Sequence, residues 1–362
     1  MDHQRLQPQH ATPGRAAQSN PHNRFDRLVA DQVDDGWVGD DDPMPVLRTT
    51  VREEVPRKVI TRNTSPDLSF DRSINPYRGC EHGCIYCFAR PSHAYLGLSP
   101  GLDFETQLVA RPDAASVLRK ELSRPSYVPA TIAIGTNTDP YQPIERDRKI
   151  MREVLEVLAA FNHPVAIVTK GTLIARDIDI LAPMAAKGLL RVGISVTTLD
   201  PKTSRAMEPR VPHPKARLRV IRQLTDAGIP VRAMVSPVIP ALTDHELEAI
   251  LEACAAAGAV AASSIVLRLP REVAELFKDW LTAHFPDRAG RVMGRVRELH
   301  GGKEYDPAFG TRMVGQGKWA ALMQQRFKLA ARRLGLDRSL PPLRSDLFAV
   351  PPQSGVQLAL FG

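Results

Sequence analysis

The chain is 362 residues long, enough for two domains of ordinary size or for one large α/β barrel with tails. With 43% hydrophobic and 24% charged residues it has a globular composition, which excludes a collagen, a mucin or a wholly disordered chain. The net charge is +8 and uneven: residues 286–362 carry 13 Lys and Arg against 6 Asp and Glu, a balance of +7, while residues 1–60 carry 8 against 10, a balance of −2. A basic end of this kind fits a polyanionic partner such as nucleic acid, and a solvated basic helix explains it equally well. No window of 18 apolar residues is free of charge, so no membrane span is expected. The first 15 residues lack the apolar stretch of a secretory signal, so the expected compartment is the cytoplasm.

Residues 1–65 read as a flexible N-terminal arm rich in Pro, Gln, Asn, His and Asp, with the acidic run Asp40-Asp41-Asp42-Pro43. Its candidates for local docking are Asn23-Arg24-Phe25 and Trp37. Over residues 66–285 the pattern changes to strands alternating with helices. The β-branched runs 70–75, 131–135, 165–169, 191–197, 231–236 and 263–268 predict six strands. Helices are predicted over 113–123, 145–161, 176–187, 214–227, 243–257 and 271–284. In the second of these, Ile150, Val154, Leu155, Val157 and Leu158 share one face. Thr243 with Glu246 three residues on predicts a capping box, and Gly228 and Gly258 stand where helices should stop. Six β/α units predict a parallel sheet, too short for a closed eightfold barrel: a partial (β/α)6 TIM-type barrel. A doubly wound sheet is the rival, and periodicity does not separate the two. From 286 to 362 the alternation stops. This third region is expected to be a basic helical extension, with one helix over 317–334, followed by an extended tail marked by Pro341-Pro342 and Pro351-Pro352.

Chemistry concentrates where the first strand ends. Cys80, Cys84 and Cys87 are spaced C-x3-C-x2-C, and three thiolates on one short loop suit three corners of an iron–sulfur cube. Three protein ligands leave one iron open, and an open position marks a site for chemistry. Cys254, in the apolar helical stretch ELEAILEACAAAG, reads as core. The other reading of the triplet is a structural zinc site with His82 as fourth ligand. In parallel β/α folds function gathers in the loops at the carboxyl ends of the strands. Here those ends carry Gly135-Thr136-Asn137-Thr138-Asp139, Lys170-Gly171-Thr172, Ser195 with Thr197 and Thr198, Ser236-Pro237, and Arg268.

The stretches RGCEHGCIYCFAR and GTNTDPYQPIE resemble the radical S-adenosylmethionine superfamily, in the branch related to spore photoproduct lyase. The likeness spans about residues 70–285 and is sharpest over 75–93 and 133–145. It implies a 4Fe–4S cluster on Cys80, Cys84 and Cys87 whose open iron chelates S-adenosylmethionine. It also implies a one-electron donor such as a flavodoxin or ferredoxin, and a 5′-deoxyadenosyl radical that abstracts hydrogen from the substrate. By the same likeness, Tyr86 sits beside the adenine and Gly135, Thr136 and Asn137 meet the methionine amino group. Lys170 meets its carboxylate, and Ser195 meets the ribose or that carboxylate. Each has a plainer alternative: Asn137 and Asp139 shape a turn, Lys170 is solvated, Ser195 satisfies a neighbouring strand. Glu208-Pro209-Arg210 and Arg217 stay unassigned. The branch's hydrogen-donating cysteine has no counterpart at Gly135-Thr136-Asn137, so a mechanism using that donor does not carry over; Tyr141 is a candidate substitute.

The end of the chain, Gln357-Leu358-Ala359-Leu360-Phe361-Gly362, resembles the short peptide by which bacterial repair proteins dock on the sliding clamp, with the Pro-rich approach as a spacer. The alternative is a tail folded back on its own domain. Three functions follow: a radical enzyme acting on nucleic acid (a damaged base exposed to the radical), one acting on a protein or small molecule, and a non-catalytic zinc-binding nucleic-acid module.

Overall fold

The structure, a computed structural model, describes residues 14–25 and 47–352. Its strands are β1 (Thr50–Glu53), β2 (Ile60–Arg62), β3 (Arg72–Ile74), β4 (Tyr77–Arg78), β5 (Gln107–Ala110), β6 (Ile132–Ile134), β7 (Val165–Thr169), β8 (Leu190–Ser195), β9 (Val231–Val238) and β10 (Ala261–Val266). The six predicted strands are β3 and β6 to β10. They lie side by side in chain order, β10-β9-β8-β7-β6-β3, every pair parallel, with β2 antiparallel on the outer edge of β3. A doubly wound sheet reverses its order at a switch point. This sheet does not, so the architecture is the partial barrel. A second, three-stranded sheet, β1-β5-β4, flanks it.

The core forms where strand and helix patterns meet. Val165 and Ile167 of β7 and Val192 and Ile194 of β8 pack against the face made by Ile150, Val154, Leu155, Val157 and Leu158, all buried. Cys254 lies in this core, fully buried on the helix Leu247–Ala256, as its apolar setting predicts.

Several local expectations need correction. The predicted helix over 145–161 is two, Glu145–Arg148 and Ile150–Ala160, broken at Lys149 with φ +54°. The break lets the Glu145 carboxylate accept the otherwise orphaned N–H of Met151 at 3.1 Å. The capping box does not form. The Thr243 hydroxyl accepts from Ile239 N–H (3.1 Å), and Glu246 reaches away to Thr198 Oγ1 (2.5 Å) and Leu199 N–H (2.6 Å). The helical extension begins with a helix over Pro286–Leu299, burying Val292, Met293, Val296 and Leu299, ahead of the one expected over 317–334.

The regions flanking the barrel are built into it. Residues 14–25 do not behave as a loose arm: Arg15, Ala16, Ala17 and Asn23 are buried, and the Ala16 and Ala17 N–H groups donate to Glu105 at 3.2 and 3.0 Å. The helix Gly317–Arg333 buries Trp319, Ala320, Met323, Ala330 and Ala331. It spends part of its charge on the helix Leu247–Ala256, through Arg326 to Glu248 at 2.5 Å and Arg333 to Glu252. The outer edge of β10 is capped by this extension, Ala262 N–H donating to Leu336 O (2.9 Å) and Val266 N–H to Met313 O (3.0 Å).

The Pro-rich approach is not a free spacer either. Arg344 N–H donates to Gly188 O (3.0 Å) and Ala349 N–H to Phe161 O (3.1 Å), while Phe348 seats among Tyr127, Phe161 and His163. Trp37, the acidic run at 40–43 and the clamp-like residues 357–362 lie outside the described residues. Among the described residues no helix is long and apolar enough to cross a membrane.

Candidate active site

The chain leaves β3, passes through β4 and enters the cysteine loop. Cys80 N–H donates to Phe104 O (2.9 Å), and two turns follow, Gly83 N–H to Cys80 O and Cys87 N–H to Cys84 O, each 3.2 Å. Arg90, fully buried, organises the loop from behind. Its guanidinium donates to the carbonyls of Gly83 (2.9 Å), Cys84 (3.0 Å), Pro100 (3.1 Å) and Gly101 (2.9 Å), and to Glu105 Oε1 (2.5 Å). A planar donor fork suits this cradle of carbonyls, which a lysine would not match.

Cys80 and Cys84 are buried and Cys87 is half-buried. Burial pushes the Cys80 thiol up, and Asp139, Cys84 and Cys87 push it further; the Asp139 backbone hydrogen-bonds to it and works the other way. The Cys84 thiol is raised by burial and by Glu208, against Lys170 and Arg90. The three sulfurs therefore feel one another across one pocket, and bare thiolates are disfavoured there until a cationic centre arrives.

That donor set, three thiols on one loop, fits an iron–sulfur cluster. Among the described residues no three His, Cys, Asp or Glu side chains converge on a point where a single ion would sit. His82, the fourth ligand of the zinc reading, is turned to Asp139, with Nδ1 3.3 Å from Oδ2. A cuboidal cluster, whose corners are spread apart, requires no such convergence and takes thiolates alone.

The second loop, from Gly135 to Glu145, holds the first. Gln142, fully buried, accepts from Glu81 N–H (2.8 Å) and donates to Gly79 O (3.3 Å), so it grips the backbone on both sides of Cys80. Thr138 donates to Tyr77 O (3.1 Å), and Glu145 accepts from the Tyr77 hydroxyl (2.5 Å) and from Arg176 (2.7 Å). Asp139 accepts from Tyr141 N–H (2.9 Å), Thr169 Oγ1 (2.5 Å) and Lys170 N–H (2.7 Å). Burial opposes its charge, yet His82, Lys170 N–H and Thr169 hold its carboxyl down to about 2. Asp139 is thus the turn former of the plainer reading. Gly135 has φ +89°, and a Cβ there would lie 1.9 Å from Val168 O, so no other residue fits.

Thr136 and Asn137 are half-exposed, and their side chains carry no hydrogen bond among the described residues. Tyr141 is withdrawn as a hydrogen donor: it is buried, and its hydroxyl is committed to Asp177 at 3.1 Å. Ser195 is also buried and donates to Ser236 O (3.3 Å) on β9, the plainer of its two expected roles.

Across the pocket stands a buried charge network left unassigned from sequence. Glu208 accepts from the Tyr86 hydroxyl, from Thr197 Oγ1 (2.8 Å) and from Arg217 Nη2 (2.7 Å). Arg217, fully buried, also donates to Ser195 O (3.0 Å) and Ser204 Oγ (2.9 Å). Burial works against the Glu208 charge, but Arg217 and Lys170 keep its carboxyl below the usual range. The Lys170 ammonium lies 5.7 Å from the centre of the Tyr86 ring. Tyr86, Lys170 and the three cysteines are therefore brought together, with Glu208 and Arg217 fixing the tyrosine. Arg90, Glu105 and Gln142 were missed because their partners are backbone groups or residues distant in sequence. Only the position of Arg90 inside the cysteine stretch hinted at its part.

Residues 74–254 match the model of the radical SAM superfamily, half of the chain and the whole run from β3 past the fourth crossover. The chain belongs to the radical SAM superfamily. This radical SAM enzyme is 39% identical over 289 residues to uncharacterized proteins of Mycobacterium tuberculosis and Mycobacterium bovis, covering 79% of its length and 82% of theirs. It is 26% identical to an uncharacterized protein of Methanocaldococcus jannaschii, covering 48% of its own chain and 62% of the other. Its fold is similar to that of spore photoproduct lyase (TM-score 0.57, 15% identity, covering 78% of this chain and 79% of that one). The lyase has also been solved with bound AdoMet and dinucleoside spore photoproduct (TM-score 0.56, 15% identity, the same shares of both chains).

Proposed function

We propose that Cys80, Cys84 and Cys87 hold a 4Fe–4S cluster, and that the enzyme uses S-adenosylmethionine to abstract hydrogen from a nucleic-acid substrate. When bound, the cluster supplies the electron that cleaves S-adenosylmethionine to a 5′-deoxyadenosyl radical. The electron comes from a flavodoxin- or ferredoxin-type partner.

The chain's own residues bind, orient and shield. Cys80, Cys84 and Tyr86 are buried, which keeps bulk water from the reacting centre. Lys170 is the cation that meets the carboxylate of the co-substrate, since it already sits beside Cys84 and the Tyr86 ring. Thr136 and Asn137, with side chains unspent, are the polar groups offered at the end of β6. Glu208 fixes the Tyr86 ring as a wall of the pocket and, held ionised by Arg217, does not exchange protons at neutral pH. Two facts support the nucleic-acid substrate: the basic C-terminal region, and the fold shared with a lyase solved on a dinucleoside photoproduct.

The observation that carries the reading is three free cysteines on one short loop beyond β3, Cys80 and Cys84 buried and Cys87 half-buried, with His82 turned away to Asp139. With anaerobically reduced protein, Cys84→Ala is expected to abolish 5′-deoxyadenosine formation, while Cys254→Ala, in the core, retains it. Undiminished formation in Cys84→Ala overturns the assignment.

A further inference from the structure

Four aromatic side chains stand exposed among the described residues: Phe25 (55%), Phe88 (47%), Tyr95 (70%) and Phe309 (58%). Each lies against an arginine. Arg24 is 4.8 Å from the Phe25 ring and 5.2 Å from Tyr95, Arg268 is 4.6 Å from Phe88, and Arg312 is 4.7 Å from Phe309. Isolated exposed apolar residues are ordinary on a protein surface. Aromatics paired with guanidinium groups and gathered in one place are not.

The pairs are continuous. Phe88 follows Cys87, and Arg268 follows β10. Arg24 bridges both segments a little further along, donating to Pro91 O (3.1 Å) and Glu272 Oε1 (3.0 Å). On the other side, Arg268 is close enough to Arg312, Tyr305, Asp67 and Cys87 to feel their charges. The segment bearing Phe309 spans the seam of the open barrel. Arg312 donates to Asp67 (2.6 Å) and Ser65 (2.7 Å) ahead of β3, and Met313 O accepts from Val266 of β10. The row thus runs along the seam and passes the third thiol.

Arg268 points most directly to a ligand. It is half-buried, and among the described residues no hydrogen bond or ion pair holds its guanidinium, with Asp67 near enough only to bias its charge from a distance. A half-buried cation that no carboxylate contacts directly gains from an anion brought from outside. Lys303 and Arg271, both exposed and in no ion pair among the described residues, flank the row in sequence. Flat π faces backed by cations, with spare positive charge between them, complement a chain of anionic phosphates carrying unstacked bases. A duplex hides its base faces and offers only the phosphates.

We infer that the row Phe25–Tyr95, Phe88–Arg268 and Phe309–Arg312 is the track on which a single-stranded nucleic acid stacks its bases and is led to the cysteine pocket. This deepens the nucleic-acid reading above and rests on it.

The test is fluorescence anisotropy of the full chain with labelled single-stranded oligothymidylate, with oligouridylate to distinguish DNA from RNA, and with a duplex. The single strand is expected to bind more tightly than the duplex. Phe309→Ala and Phe88→Ala are each expected to weaken it by about 5- to 100-fold, the range of one lost base stack. Arg268→Gln is expected to weaken binding and to lower the salt slope by about one. Lys120→Gln, exposed on the helix Ala114–Leu122 outside the basic region, should leave binding unchanged. Thermal unfolding of each variant checks that it is folded.

Equal affinity of the aromatic variants and the native chain, or a loss that follows Lys120→Gln in place of the row, overturns the inference. The readout needs no radical chemistry. Failure of the native protein to form 5′-deoxyadenosine, with row-dependent binding intact, sinks the enzymatic reading and spares the track; cleavage without row-dependent binding sinks the track alone.

Discussion

The loop after β3 carries three thiols and few of the side chains that hold it in place; the loop after β6 carries no thiol and supplies many of those side chains. In the first, buried sulfur is electrostatically unsettled, the Cys80 and Cys84 thiols raised by burial and by their neighbours. In the second, Thr138, Asp139, Tyr141, Gln142 and Glu145 are all spent on hydrogen bonds within the protein. The difference teaches that a ligand loop can be kept open to an incoming group because a neighbouring loop, tied to rigid strands, fixes its backbone. Preorganisation of the ligands is supplied from outside the ligand motif.

Breaking the second loop should therefore damage the first. The largest effect is expected from Gly135→Ala. Its Cβ would collide with Val168 O at a backbone angle that L-residues avoid, for a loss of more than about 3 kcal/mol. Chemical denaturation should show this loss together with poor iron incorporation; a native-like midpoint would mean that the β6 end is not the rigid anchor described. Gln142→Ala is a milder cut. It strands Glu81 N–H and Gly79 O and leaves a small cavity, about 2–4 kcal/mol in all. The fold should survive while the cluster is lost faster on exposure to air or chelator. Retention as firm as in the native chain would show that Arg90 alone suffices to hold the cysteine loop.

The barrel strands were legible in the sequence because β-branched runs bounded by turn residues leave few other choices. Their order was not, since periodicity says nothing about which strand lies next to which. The cysteines were legible because thiolates at that spacing have few uses. Gln142 was not, because a glutamine has no chemistry of its own and its partners are backbone groups about sixty residues earlier. Local rules failed where a distant partner won: Glu246 left its expected capping box for Thr198 and Leu199. Phe348 in the supposed spacer found an aromatic box at Tyr127, Phe161 and His163. In the same way Glu208 and Arg217 were visible as charges but not as the support of Tyr86.

The central claim is that these three thiols grip an iron–sulfur cube and leave one iron for a co-substrate. Anaerobic metal and labile-sulfide analysis, joined to electron paramagnetic resonance of the reduced protein, tests it most directly. The account predicts about four iron and four sulfide per chain, with a reduced-cluster signal that changes when S-adenosylmethionine is added and vanishes in Cys84→Ala. A colourless protein holding one zinc, with no labile sulfide, would contradict it.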